Sequence, residues 1–284
     1  MRWLRRAGWA AVALIALAYL GGTAYLYFRQ GTIIYLPTRE VSNTPRDYGI
    51  AHEQLRLPVK RRGGATESIS AWWLPAPAPN GMSILFLHGN ARNMGARGNT
   101  DKVAALAKAG FNLLTIDYRG YGQSDGASPD EASLYEDARA AFDELARRAP
   151  DPDKRILHGH SLGGAVAIEL ALQRPEFAAA FIEASFTSML DMSTRNRLFR
   201  LLPIDTLLTE RFDSASKVGG LRLPVLFIHG TRDKRVPHAM SKALFARAPE
   251  PKALILFENG AHSNLHDSPQ YVEAYRMLLD MAKK

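Results

Sequence analysis

Cysteine is missing from all 284 residues. Disulfides, Cys-ligated zinc or iron–sulfur centres and a Cys nucleophile are therefore excluded. No H-E-x-x-H or comparable metal-ligand spacing occurs either, so neither a metal nor another cofactor is expected. Internal repeats and long low-complexity tracts are lacking. Negative charge is in short supply: 36 Lys/Arg face 28 Asp/Glu, a net charge of +8. The excess is uneven. Residues 1–62 hold ten Lys/Arg against three Asp/Glu, and the rest of the chain is nearly balanced. A nucleic-acid binder more often carries its positive excess on the folded domain, so nucleic acid is not an expected partner. Hydrophobic residues at 46% and charged residues at 23% exclude wholesale disorder, collagen and a pure coiled coil. The length suits one α/β domain rather than two.

Charge is also missing from one long stretch. Ala7 to Phe28 are uncharged and mainly apolar. At about 1.5 Å per residue, a helix of this length spans a hydrocarbon core of about 30 Å. Arg2, Arg5 and Arg6 precede it, whereas only Arg29 follows closely. The positive-inside rule then predicts a single-pass signal anchor over 1–30, with the remainder on the non-cytoplasmic (periplasmic or lumenal) side. A cleaved signal peptide, cut near Gly22-Thr23-Ala24, is the competing reading. A buried core helix fits the flanking Arg cluster poorly.

Beyond a polar connector with strand character at Thr32–Tyr35 and Gln54–Val59, short apolar runs alternate with helical stretches. Strands are predicted at Ser68–Leu74, Ser83–His88, Phe111–Asp117, Arg155–His158, Ala178–Glu183, Val225–His229 and Ala253–Phe257. Helices are predicted at Lys102–Ala109, Pro129–Arg148, Leu162–Gln173, Ala239–Ala246 and Pro269–Met281. Continuous apolar strands between helices predict an α/β domain over 31–284, with a mainly parallel sheet and helices on both faces. In such sheets function gathers at the carboxyl ends of the strands.

The chemistry-bearing residues fall at those ends. Gly159–Gly164 (GHSLGG) is a G-x-S-x-G placed between a strand and a helix, the context of a nucleophile elbow. Ser161 would project from a strained turn at a helix N-terminus, where the dipole favours developing negative charge. Asp233 follows the strand Val225–His229, and His262 follows the strand ending at Phe257. The order Ser, Asp, His is that of α/β-hydrolase triads. A tetrahedral intermediate also needs two N–H donors. Leu162 supplies one, and Asn90, in the His88-Gly89-Asn90 break after an apolar strand, supplies the second. His266 is the other histidine after the last strand, but it lies just before the final helix, so His262 is the expected base.

With these residues in view, the chain resembles the small, membrane-anchored α/β-hydrolase domain-containing group, in its bud-emergence-like branch. The matching stretches are the apolar N-terminal helix, Leu85–Asn93 (LFLHGNARN), Asp117–Gly126 (DYRGYGQSDG), GHSLGG, Pro224–Asp233 (PVLFIHGTRD) and Gly260–His262. The resemblance implies an α/β-hydrolase fold, a Ser161–His262–Asp233 triad and an oxyanion hole at Asn90 and Leu162. One departure stands out. Family members often carry Gly-Gly-His where this chain has Gly260-Ala261-His262, which asks Ala261 for a conformation glycine takes more easily. In the Gly-rich loop near the site, Asp117 and Arg119 are expected to pair.

Residues 186–222 are expected to form a small helical cap, one wall of an acyl pocket. The expected substrate is a small-molecule or lipid-like ester or thioester. An aminopeptidase or amidase would need an acidic group to capture the amine, and the cap offers Asp191, Asp205, Glu210 and Asp213. A non-catalytic interaction protein on this fold is the third reading.

Overall fold

The computed structural model describes residues 2–61 and 64–283. It opens with one long helix, α1 (Arg2–Ile34), whose apolar stretch is exposed. A two-residue strand β1 (Leu36–Pro37) follows, then β2 (Glu53–Lys60), β3 (Thr66–Leu74), β4 (Ser83–Leu87) and the short β5 (Ala91–Arg92). From there helices and strands alternate: α2 (Arg97–Lys108), β6 (Asn112–Ile116), α3 (Glu131–Arg148), β7 (Arg155–His160), α4 (Leu162–Gln173) and β8 (Ala179–Glu183). Three short helices, α5 (Met189–Ser193), α6 (Ile204–Leu207) and α7 (Ser214–Lys217), make the cap and the return from it. The chain closes with β9 (Val225–Gly230), α8 (His238–Arg247), β10 (Lys252–Phe257) and α9 (Gln270–Ala282).

Eight strands form one sheet in the order β10-β9-β8-β7-β4-β6-β3-β2. All pairings are parallel except β2 with β3 and β3 with β6. Every residue of β4, β7, β8 and β9 is buried, as strands covered on both faces must be. The period of two divides their side chains between two cores. Leu85, Leu157, Ile182 and Phe227 face α3 and α4, and Ile84, Ile156, Phe181 and Leu226 face α2 and α9. From β4 the chain winds outward to β6, then returns to β7 on the other side of β4. The switch point therefore lies at the carboxyl ends of β4 and β7, where a crevice forms.

Thr32–Tyr35 departs from expectation. The β-branched run Thr32-Ile33-Ile34 is helical rather than extended, as the last turn of α1. Tertiary partners override its propensity. The Ile34 carbonyl accepts from Asn90 Nδ2 at 2.7 Å, and Gln30 Oε1 accepts from the backbone N–H of Thr209 at 2.8 Å.

Candidate active site

The elbow is built by close packing. Ser161 sits between β7 and α4 with φ 55° and ψ −117°, a strained backbone held by its surroundings. Its N–H donates to the Glu183 carbonyl at 2.8 Å, and Ser185 Oγ donates to its carbonyl at 3.0 Å. A Cβ on Gly163 would stand 2.1 Å from the Leu87 carbonyl oxygen, and one on Gly159 would stand 2.2 Å from that of Gly163. Glycine is required at both positions for the turn to approach β4 and α4.

Ser161, His262 and Asp233 meet at the carboxyl edge of the sheet. His262 Nε2 lies 3.1 Å from Ser161 Oγ, and its Nδ1 lies 2.6 Å from Asp233 Oδ2. The backbone N–H groups of Arg235 and Val236 donate to Asp233 Oδ1 at 2.8 and 2.9 Å. His229 Nε2 also reaches Oδ2, at 3.1 Å, while its Nδ1 faces Ser241 Oγ at 2.7 Å. Burial opposes ionisation of Asp233, but the bonds from His229, His262 and Val236, with the charge at His262, outweigh it. They hold the carboxyl well below the usual carboxylate range. An ionised Asp233 is acceptor-only, so the proton of His262 sits on Nδ1 and the Nε2 lone pair faces Ser161. His160 Nε2–H donates to the His262 carbonyl at 2.9 Å and fixes that loop from the elbow side.

The expected oxyanion donors line the same cavity as Ser161 and His262. Leu162 is the first residue of α4, where N–H groups have no intrahelical acceptor. The Asn90 side chain is spent on Ile34, and its carbonyl accepts from Leu36 N–H and Tyr121 Oη. The cavity has a volume of about 430 Å³. Its walls come from α1 (Leu26, Gln30, Ile33, Ile34) and from the cap (Met189, Met192, Phe199, Ile204, Leu207).

Several expectations find other geometry. Ala261 has no positive φ; Asn259 takes the left-handed position instead, at φ 60°, which asparagine tolerates. The Gly-Ala-His departure thus costs no backbone strain. Asp117 and Arg119 do not pair. Arg119 binds Asp137 at 2.7 Å and Glu136 at 2.6 Å, and Asp117 accepts from Met94 N–H at 2.6 Å beside His88. Though only two residues apart, the two side chains find separate partners, Arg119 on α3 and Asp117 at the Met94 N–H, which defeats pairing by sequence proximity. His266 lies against Asp101 and Asp267, at 3.9 and 3.6 Å, in a turn ahead of α9 and away from the cavity lining. The four cap carboxylates are engaged elsewhere: Asp191 by Thr187, Asp205 by Arg211, Glu210 by Tyr35 and the Glu131 N–H, and Asp213 as the cap of α7. Among the described residues no group of three His, Asp or Glu side chains is gathered to hold a metal.

One cluster was not foreseen. Lys102 Nζ and Glu183 Oε1 lie 2.5 Å apart in full burial behind the elbow. His158 Nε2 and Tyr271 Oη hold the other Glu183 oxygen at 3.0 and 2.9 Å, and Tyr275 Oη closes on His158 Nδ1 at 2.6 Å. Burial opposes the charge on Glu183. Lys102, His160 and His158 overcome it and hold the carboxyl well below its usual value. Because the Glu183 carbonyl anchors Ser161 N–H, this cluster braces the elbow from beneath. Its visible signals were a carboxylate ending the apolar run Ala179–Glu183 and a lysine on the apolar face of α2.

Comparison with known proteins agrees with the fold. Residues 78–212 match the family described as serine aminopeptidase, S33. Protein bem46 of Schizosaccharomyces pombe is 34% identical over 83% of this chain and 78% of its own length. An uncharacterized Mycobacterium tuberculosis protein, Rv2307c, is 30% identical over 96% of this chain and 92% of its own. The Pyrococcus furiosus esterase Pf2001 superposes with a TM-score of 0.70 at 19% identity, covering 87% of this chain and 97% of that one. A Pyrococcus horikoshii acylaminoacyl peptidase gives 0.60 at 18% identity, covering 82% of this chain and 41% of that one. The structural likenesses carry the fold alone; with the sequence relatives, they make this chain a member of the α/β-hydrolase family, in the branch that includes bem46.

Proposed function

We propose that this hydrolase cleaves carboxylic esters or thioesters with an apolar acyl part, using Ser161 as nucleophile, His262 as base and Asp233 as the group that orients and stabilises the imidazole. The observation that carries the reading is the Ser161–His262–Asp233 chain of hydrogen bonds opening into a largely apolar cavity. His262 Nε2 takes the Ser161 proton as Oγ bonds to the carbonyl carbon. The N–H groups of Leu162 and Asn90 receive the oxyanion. Collapse expels the alcohol or thiol, which takes the proton from His262. Water then gives a proton to His262 and attacks the acyl carbon; collapse breaks the bond to Oγ, His262 returns the proton to Ser161, and the acid leaves.

Amine capture has less support. Among the described residues lining the cavity there is no carboxylate, and the charged one is Arg235. An aminopeptidase would need an acid there. The test is labelling of the full chain by a fluorophosphonate probe, with Ser161→Ala as control, followed by rates on p-nitrophenyl esters and aminoacyl-nitroanilides. Labelling lost in the variant, with ester turnover dominant, is expected. Unlabelled wild type would sink the nucleophile assignment; faster anilide turnover would sink the ester preference.

A further inference from the structure

The cavity wall contains part of the helix that is long and apolar enough to cross a membrane. Leu26 lies inside the uncharged stretch ending at Phe28, and Ile34 stands about 12 Å further along the axis. Both line the cavity that holds Ser161. The helix is no loose tether. Gln30 bonds the backbone of Leu207 and Thr209 in the cap, and Ile34 bonds Asn90 beside the expected oxyanion donor. The end of the apolar stretch and Ser161 thus line one cavity.

A second observation lies on the cap. Residues 195–202 read RNRLFRLL. Phe199 lines the cavity, while its neighbours Leu198 and Leu201 are 70% and 71% exposed. Arg195, Arg197 and Arg200 are interspersed with them. Among the described residues none of the three is within ion-pair distance of a carboxylate; Arg195 and Arg200 bond carbonyls, of Arg235 and Thr194 respectively. Exposed leucines among unpaired arginines are poorly suited to bulk water. They suit the boundary between acyl chains and anionic headgroups, where each apolar side chain and each basic group adds to binding.

We propose that the carboxyl-terminal end of α1 and cap residues 195–202 seat the cavity mouth in the bilayer interface, so that the substrate is a bilayer-resident amphiphile whose acyl chain slides into the cavity from the leaflet. This rests on Ser161 being the nucleophile and on α1 being a membrane anchor. A cavity of about 430 Å³ is in the lower part of the range for small-molecule sites, which suits one acyl chain at a time. The scissile ester or thioester stops at Ser161, and its polar remainder stays at the rim, beside Arg235.

The test uses the full chain in vesicles of phosphatidylethanolamine and phosphatidylglycerol. Two variants are compared with wild type: Leu198→Asp with Leu201→Asp, and Arg195→Gln with Arg197→Gln and Arg200→Gln. The leucines lie outside the cavity lining. Fluorophosphonate labelling and turnover of water-soluble p-nitrophenyl acetate report the catalytic centre. Turnover of 4-methylumbelliferyl palmitate carried in the vesicles reports access from the leaflet. In both variants the soluble readouts should stay within about twofold of wild type, and vesicle turnover should fall about tenfold or more. Unchanged vesicle turnover in variants that still label would overturn the inference, as would wild type that hydrolyses the acetate but not the palmitate. Wild type that fails to label overturns the serine-hydrolase reading instead. Should the aspartate variant lose labelling through misfolding, the glutamine variant, which removes the charge and keeps a polar side chain, decides.

Discussion

At the scale of the residue, the hydrogen-bond inventory of the site supports His262 rather than His266 as the proposed base. Asp233 collects two backbone N–H groups on Oδ1 and two imidazoles on Oδ2. Nothing is left on His262 but Nε2, aimed at Ser161. His266 has no comparable route, being turned to Asp101 and Asp267. His262→Ala should lower kcat by about 10⁴–10⁶, as loss of a triad base does, whereas His266→Ala should cost less than about tenfold. The opposite ranking in folded protein with equal thermal midpoints would reassign the base. Asp233 should stay charged through the ordinary carboxylate range, because the bonds it accepts hold its folded carboxyl below that range. Loss of kcat/KM in acid should therefore show no step from Asp233 within that range, and such a step would show that the carboxyl is not held down.

At the scale of the element, β7, α4 and β8 hold the elbow, and α2 and α9 brace it through the buried Lys102–Glu183 pair. Both side chains are out of water, 1% and 0% exposed. Removing one partner leaves an uncompensated charge, which typically costs about 3–5 kcal/mol. Lys102→Met should therefore lower stability to denaturant by about that much. Adding Glu183→Gln should restore a good part of it, since the lone carboxylate is then gone. The deficit of the single variant should narrow on acidification. In wild type the depressed Glu183 carboxyl contributes stability above its unfolded value and loses it as pH falls; in the variant, acid instead discharges an unpaired carboxylate. A deficit independent of pH would mean that Glu183 is not charged in the native state.

At the scale of the whole molecule, an exposed apolar helix is joined to the hydrolase domain by hydrogen bonds to the cap and to Asn90. The Arg2, Arg5 and Arg6 cluster ahead of the apolar stretch predicts that the hydrolase domain lies on the non-cytoplasmic side. In a bacterial host, alkaline phosphatase fused after residue 40 should be active, and a cytoplasm-reporting fluorescent fusion at the same point should be dark. The reverse pair of results would invert the topology. In the proposed topology the first Arg cluster would orient the helix, and the cap arginines would meet headgroups at its other end.

The order of chemistry along the chain was legible because each signal is local. G-x-S-x-G needs only a strand before it and a helix after it, and Asp233 and His262 each follow an apolar run. Parallel strands buried on both faces declare themselves as continuous apolar segments, so the sheet and its carboxyl-edge site could be read from residue order alone. The uncharged stretch from Ala7 to Phe28 declared itself by the same arithmetic of length. What the sequence left open depended on partners far along the chain. Thr32–Ile34 stays helical, against its own β-branched preference, because Asn90 donates to the Ile34 carbonyl and the cap holds Gln30 one turn earlier. Arg119 finds Asp137 and Glu136 across the loop rather than Asp117 two residues away. Lys102 reaches Glu183 across 81 residues because α2 packs on the face of the sheet to which Phe181 and Glu183 of β8 point. Which residues wall the cavity was likewise decided only when the end of α1 closed against the cap, since a side chain's surroundings in a packed interior are set by elements that no local pattern names.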